Sequence, residues 1–123
     1  MSRHGFARDK QFKLTESSST RVSLTLDADA ETLAQYPFLF RFTIVYEIHK
    51  NKLNCTYQIT NIDVKPLYFS VGAHPAFKVP LEVEFDFSQY YLEFSQPETA
   101  GKWPITAEGL IDENPVPFFH SNN

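Results

Sequence analysis

Cysteine occurs once in the chain, as Cys55, so no internal disulfide can form. A lone thiol also fits a reducing compartment. One cysteine and the four histidines His4, His49, His74 and His120 make no thiolate cluster and show no zinc-ligand spacing, which argues against a structural metal. Glycine is equally scarce. The four glycines are all isolated, so there is no glycine-rich phosphate loop, and no Gly-x-Ser-x-Gly elbow presents a serine nucleophile. No five-residue run is basic and the formal net charge is −4. A nucleic-acid partner, which calls for a basic patch, is therefore not expected. No apolar stretch approaches the roughly 18 residues that a membrane-spanning helix needs. The start, Met1-Ser2-Arg3-His4-Gly5, carries no apolar signal region. The expectation is a cytoplasmic protein without a membrane partner.

What is present is aromatic and alternating. The chain holds 12 Phe, 6 Tyr and 1 Trp in 123 residues, enough for one domain, or part of one, with a ring-rich core. Period-two patterning dominates. In 40–48, Phe40, Phe42, Ile44, Tyr46 and Ile48 fall on one face and Arg41, Thr43, Val45 and Glu47 on the other. Leu53, Cys55, Tyr57 and Ile59 then alternate with Asn54, Thr56, Gln58 and Thr60. The intervening Lys50-Asn51-Lys52 predicts a hairpin turn in which the asparagine tolerates positive φ. Cys55, on the apolar face, reads as a small core residue.

Val22, Leu24 and Leu26 point inward on an earlier strand, with Arg21, Ser23 and Thr25 outward. Phe12-Lys13-Leu14 is its expected hairpin partner across Glu16-Ser17-Ser18-Ser19. The stretch 27–36 has helical propensity but meets Pro37, so it reads as a loop with one helical turn. Further strands are expected over 67–71, 83–87 and 90–94. After Ser95, Pro97, Pro104, Pro115 and Pro117 break the pattern into loop with one or two short strands. Antiparallel strands without helices between them predict an all-β fold, an antiparallel β-sandwich, with 1–123 as a single partial domain.

Two histidine-centred segments could carry chemistry. In His4-Gly5-Phe6-Ala7-Arg8 a glycine beside the histidine lets the backbone bend sharply. Arg8 adds a permanent cation with a planar fork of donors. Together they could hold a polyol or an anion, or they could be a charged tail. In Ser70-Val71-Gly72-Ala73-His74-Pro75-Ala76-Phe77, Pro75 forces His74 toward an extended backbone. An imidazole presented rigidly at a strand end suits general acid or base work, although a core histidine or a simple turn has the same residue types. His49 reads as a solvated surface histidine, and His120 follows Phe118-Phe119 without a pattern. Among acids, Glu82, Glu84, Asp86 and Glu93 read as solvent-facing. Glu108, Asp112 and Glu113 lie in the tail, and nothing in the sequence singles one out as a base. Tyr90-Tyr91 and Phe118-Phe119 could stack on sugar faces or pack in the core.

Taken in order, His4–Arg8, Tyr36–Phe40, Leu53–Asn61 with Lys65–Phe69, Gly72–Phe77 and Tyr90–Phe94 resemble the galactose mutarotase-like family of aldose 1-epimerases, in its bacterial aldose 1-epimerase-like branch. The resemblance implies a β-supersandwich and interconversion of the α and β anomers of an aldose, with no metal or organic cofactor. A carboxylate takes the proton of the anomeric hydroxyl while a histidine protonates the ring oxygen; the ring opens, rotates and closes on the other face. By this resemblance His74 is the catalytic acid, while His4 and Arg8 bind the substrate, a hexose or hexose phosphate. Arg3 adds a second cation that would suit a phosphate.

The chain departs from the family in length and in lacking a segment that matches the C-terminal catalytic glutamate. It therefore reads as a shortened or partial member, with a homodimer covering open sheet edges. A non-catalytic carbohydrate-binding module and a self-associating remnant are the alternatives.

Overall fold

The computed structural model describes residues 4–97 and 99–117. Arg3, His120 and Phe118-Phe119 lie outside the described residues. The chain divides into two compact units, Met1–Val71 and Gly72–Asn123.

The first unit is a four-stranded antiparallel meander of β1 (Lys13–Ser17), β2 (Arg21–Asp27), β3 (Phe40–His49) and β4 (Lys52–Asn61), paired in sequence order. Both hairpins expected from the alternation are formed. Register follows the apolar pattern: Leu14 pairs with Leu24, Leu24 with Ile44, and Ile44 with Tyr57. A one-residue slip would turn that row to the opposite face. This is the antiparallel all-β class expected of a β-sandwich. Among the described residues no helix is long and apolar enough to cross a membrane.

The second face is more covered than its polar sequence suggests. Ser23 and Thr25, expected to face outward, are 5% and 7% exposed. They do lie opposite Leu24 and Leu26, but neighbouring side chains on a central strand shield them. The Thr25 hydroxyl is 3.2 Å from that of Thr15 and 3.0 Å from that of Thr43. The Ser23 hydroxyl donates to Glu16 at 3.0 Å, and Arg21 spans Glu16 and Glu47 at 3.0 and 3.1 Å. Buried hydroxyls are tolerated because each has a partner.

The apolar face is covered at one end only. Leu26 and Phe40 are 5% and 4% exposed, whereas Ile48 and Leu53, beside the hairpin turn, are 53% and 66% exposed. Cys55 shares that open end and is exposed, which corrects its reading as a core residue. The alternation placed it on the right face, but among the described residues nothing covers that part. Its thiol meets two phenols and raises their pKa values, Tyr57 chiefly through a hydrogen bond and Tyr46 after a larger effect of burial.

Between β2 and β3 the chain forms α1 (Ala30–Gln35), longer than the single turn expected. A reciprocal cap stabilises it. Asp29 Oδ1 accepts from the Thr32 N–H at 2.7 Å, and the Asp29 N–H donates to Thr32 Oγ1 at 2.8 Å. Two of the backbone donors at the helix start are thereby satisfied. Thr32 is fully buried, and Pro37 follows the C-cap residue Tyr36.

The second unit is mostly irregular. The strands expected over 83–87 and 90–94 do not form, nor does the one expected over 67–71 at the end of the first unit. Alternation supplies a face, but a strand also needs a partner edge for its backbone groups. Tyr90 instead accepts the Leu81 N–H at 3.0 Å on its hydroxyl and packs edge-on against Phe85, and Phe87–Gln89 is a 3-10 turn. Two short strands, β5 (Gly101–Lys102) and β6 (Val116–Pro117), pair beyond it. Glycine at 101 is required by space: an added Cβ would meet the Pro115 Cβ at 2.8 Å.

The β3–β4 turn carries its positive φ on Lys50, at 55°, rather than on Asn51. A lysine there bears the steric cost of the left-handed region. Lys50→Gly is expected to stabilise the protein by about 0.5–1 kcal/mol, after glycine's greater unfolded-state freedom is set against the relieved strain. Urea unfolding measures it, through a higher midpoint at unchanged slope.

Candidate functional site

The segment 4–10 lies in the first unit and is held by two of its own side chains. Gly5 has φ +68° with open space where a Cβ would stand; the requirement is the backbone angle itself, as the His-Gly pair suggested. Phe6 then turns onto the sheet. Its ring is 5.6 Å from Tyr36 and 5.8 Å from Phe40, and those two rings are 5.8 Å apart. Three mutually packed rings are fixed by both burial and edge electrostatics. Tyr36 also packs on Phe38 at 4.8 Å and donates its hydroxyl to the Tyr68 carbonyl. Burial raises the Tyr36 pKa.

After Phe6 the chain makes one 3-10 turn, Ala7–Asp9, and leaves it at Lys10. The Lys10 ammonium pairs with Glu31 of α1, and only 10% of the lysine side chain is exposed. His4 and Arg8 are exposed. The Arg8 guanidinium lies 3.7 Å from the Asp9 carboxylate, with 59% of its side chain accessible. A neighbouring carboxylate in water neutralises little of that charge, so Arg8 keeps donors for a ligand. The structure places His4 and Arg8 on either side of the Gly5 bend and the packed Phe6.

His74 stands in the second unit, exposed, in a stretch without regular secondary structure. His49 is exposed at the end of β3, the surface position expected for it.

Of the tail acids, Glu108 accepts a hydrogen bond from the Thr106 side chain, and this holds its carboxyl below the usual range. A lowered pKa makes a weaker proton acceptor, the opposite of what a poised general base requires. Asp112 accepts the backbone N–H of Asn114 at 2.8 Å and its side-chain amide at 3.2 Å, a local turn contact. Tyr90 is occupied within its own unit, whereas Tyr91 is 83% exposed and keeps a ring face accessible. Among the described residues no three His, Cys, Asp or Glu side chains stand together in a way that could hold a metal ion.

Lys10 and Glu31 were not marked by the sequence, and Tyr36 was marked only as part of the segment Tyr36–Phe40. A lysine beside an aspartate reads as a solvated charge, and only the placement of α1 reveals its partner.

The family model described as aldose 1-epimerase matches residues 1–114. Two proteins of Lactococcus lactis subsp. lactis, the plasmid-borne and the chromosomal Protein LacX, are each 33% identical over 124 aligned positions; the match covers 97% of this chain and 41% of theirs. The chain thus spans about two-fifths of the length of the curated relatives it matches. No solved structure matches it. The chain belongs to the aldose 1-epimerase family.

The helix that receives Lys10 depends on an ionised aspartate. Thr32's backbone N–H, followed by its hydroxyl, holds the Asp29 pKa below its ordinary value. For a carboxyl lowered in the folded state, the stabilisation is complete above the unfolded pKa and is lost as pH falls through the folded one. The Thr32 amide resonance is therefore expected to move upfield on acidification below the ordinary aspartate range. In Asp29→Asn that titration step should vanish.

Proposed function

We propose that this chain handles an aldose as an aldose 1-epimerase-like protein, interconverting the α and β anomers of a hexose or hexose phosphate by acid–base ring opening. The observation that carries the reading is the family match over 1–114, which takes in both histidine segments. In this reading His74 is the acid that protonates the ring oxygen, and His4 and Arg8 hold the sugar oxygens. The exposed, ordered His4–Arg8 segment supports the binding half of the assignment: an imidazole and a guanidinium offer directional donors to hydroxyls or to a phosphate. The ring oxygen needs a proton at the moment its bond to the anomeric carbon breaks. The anomeric hydroxyl must lose one at the same time, so the histidine requires a carboxylate partner. No segment of this chain matches the family's C-terminal glutamate. Glu113 of this chain, or a carboxylate of a second copy, would fill that role.

The protein is placed in the cytoplasm, a reading that the exposed free thiol of Cys55 supports. The range 1–123 is read as part of one family domain. A second copy is taken to cover the open apolar end of the sheet, where Ile48 and Leu53 stand more than half exposed; apolar surface of this kind favours association. Sedimentation is expected to show a dimer. Leu53→Glu should shift it to monomer, and a monomeric wild type would overturn the dimer.

Anomer exchange, followed by NMR on glucose, galactose and their 6-phosphates, tests the activity. The wild-type chain is expected to accelerate exchange, and His74→Ala to remove about 10²–10⁴-fold of the rate. Saturable sugar binding without exchange would instead identify a carbohydrate-binding module. Neither binding nor exchange would leave a self-associating remnant.

A further inference from the structure

Within His4–Lys10 the side chains divide into exposed and more covered ones, with Asp9 exposed beside Arg8. Phe6 and Lys10 are the more covered, His4 and Arg8 the exposed. The two covered residues bind different parts of the first unit. Phe6 packs on Phe40 of β3 and on Tyr36, whereas Lys10 pairs with Glu31 of α1. Arg8 lies between those two attachments, and His4 lies just before the first, beyond the Gly5 bend. The backbone between them is closed by two bonds, from the Asp9 N–H to the Phe6 carbonyl at 3.1 Å and from the Lys10 N–H to the Ala7 carbonyl at 3.2 Å.

We propose that Phe6 and Lys10 are positioning residues: a two-point clasp that fixes the backbone carrying the exposed His4 and Arg8, so that both are held in place to meet a sugar. The inference rests on the reading that His4 and Arg8 contact the substrate. A polyol gives up its hydration to few directed hydrogen bonds, so loose donors lose much of their binding energy to ordering. A short chain segment cannot fix its own direction, because three residues of 3-10 turn are too few to be stable alone. One aromatic anchor leaves the segment free to swivel about its attachment. A second anchor on another element removes that freedom. Lys10 has this role by position rather than by ion-pair strength, since its Glu31 partner is 75% exposed and a solvated carboxylate contributes little. Its covered methylene stem supplies the packing.

The test uses the full chain and reads two things. Native-state hydrogen exchange at the Asp9 and Lys10 amides reports the clasp without any ligand. Phe6→Ala removes two ring contacts and is expected to lower protection there about tenfold. Lys10→Gln should lower it less, and the central-sheet amides of Thr25 and Val45 should keep theirs. Phe6→Tyr and Lys10→Arg should restore the wild-type values. In glucose and glucose 6-phosphate titrations, the His4 imidazole resonances are expected to respond with about tenfold weaker affinity in Phe6→Ala, again rescued by Phe6→Tyr. Unchanged exchange in both anchor variants would overturn the clasp. So would lost protection with an unchanged His4 response, which would make the anchors merely structural. If the wild-type His4 resonances do not respond to either sugar, the sugar-binding reading falls, and with it the positioning role; hydrogen exchange still decides whether the two-point attachment exists.

Discussion

The Phe40 ring lies at the start of β3, 4% exposed, with Phe6 and Tyr36 each within 5.8 Å of it. Three separate stretches of chain meet there: the β-meander, the connection that follows α1, and the segment that carries His4. Burial of large rings is the strongest non-directional force available to a chain without disulfides. It acts here on rings whose sequence positions span 34 residues, from Phe6 to Phe40. The sheet can form without this cluster, because its hairpins are local and each closes through a short turn. The His4 segment cannot. Without Phe40 to pack against, Phe6 has no reason to turn inward, and the orientation of His4 and Arg8 is lost.

From that end the apolar face continues through Phe42, which meets Phe12 at 5.6 Å and Tyr57 at 6.0 Å, and then opens toward the β3–β4 turn. The polar face does the reverse. Hydroxyls and two arginine–carboxylate groups knit it across the strands, with Arg41 held to Asp27 at 2.6 Å. Those arginines act on the acids as expected. The Arg21 hydrogen bond lowers the Glu16 pKa and the Arg41 hydrogen bond lowers that of Asp27, so both carboxylates stay ionised and the cross-strand pairs persist over a wide pH range. The meander therefore specifies its register twice, by an apolar row on one face and by charge and hydroxyl pairing on the other. A face so specified can remain partly uncovered without slipping.

The hairpins were legible because period two and turn chemistry are local properties, and the two signals agree over 40–61. The His-Gly bend was legible for the same reason, since Gly5 adopts the positive φ that glycine alone accepts readily. What failed was burial. Ser23 and Thr25 are covered because of which strands lie beside β2, and Cys55 is exposed because nothing among the described residues covers that part of β4; neither is a property of the strand in which the residue sits. The length of α1 was also hidden. Asp29-x-x-Thr32 is a weaker written signal than a serine followed by glutamate, although its two hydrogen bonds work the same way.

The segments 67–71, 83–87 and 90–94 mark where pattern stops being sufficient. The segment 83–87 alternates apolar and polar residues as β2 and β3 do, and all three have the aromatic content that suits a pleated surface. β2 and β3 differ from them in having an adjacent stretch to pair with across a short connection. In the second unit 83–87 and 90–94 are divided by the Asp86–Gln89 turn, whose Asp86 N–H donates to Gln89 Oε1 at 2.7 Å. Backbone groups there find side chains instead of a neighbouring strand, as Leu81 and Glu82 do on the Tyr90 hydroxyl. Alternation records which face a segment would bury; pairing decides whether a strand exists to bury it. His74 stands between these segments, in a stretch that likewise forms no strand, so the strand end on which its presentation was expected to rest is absent.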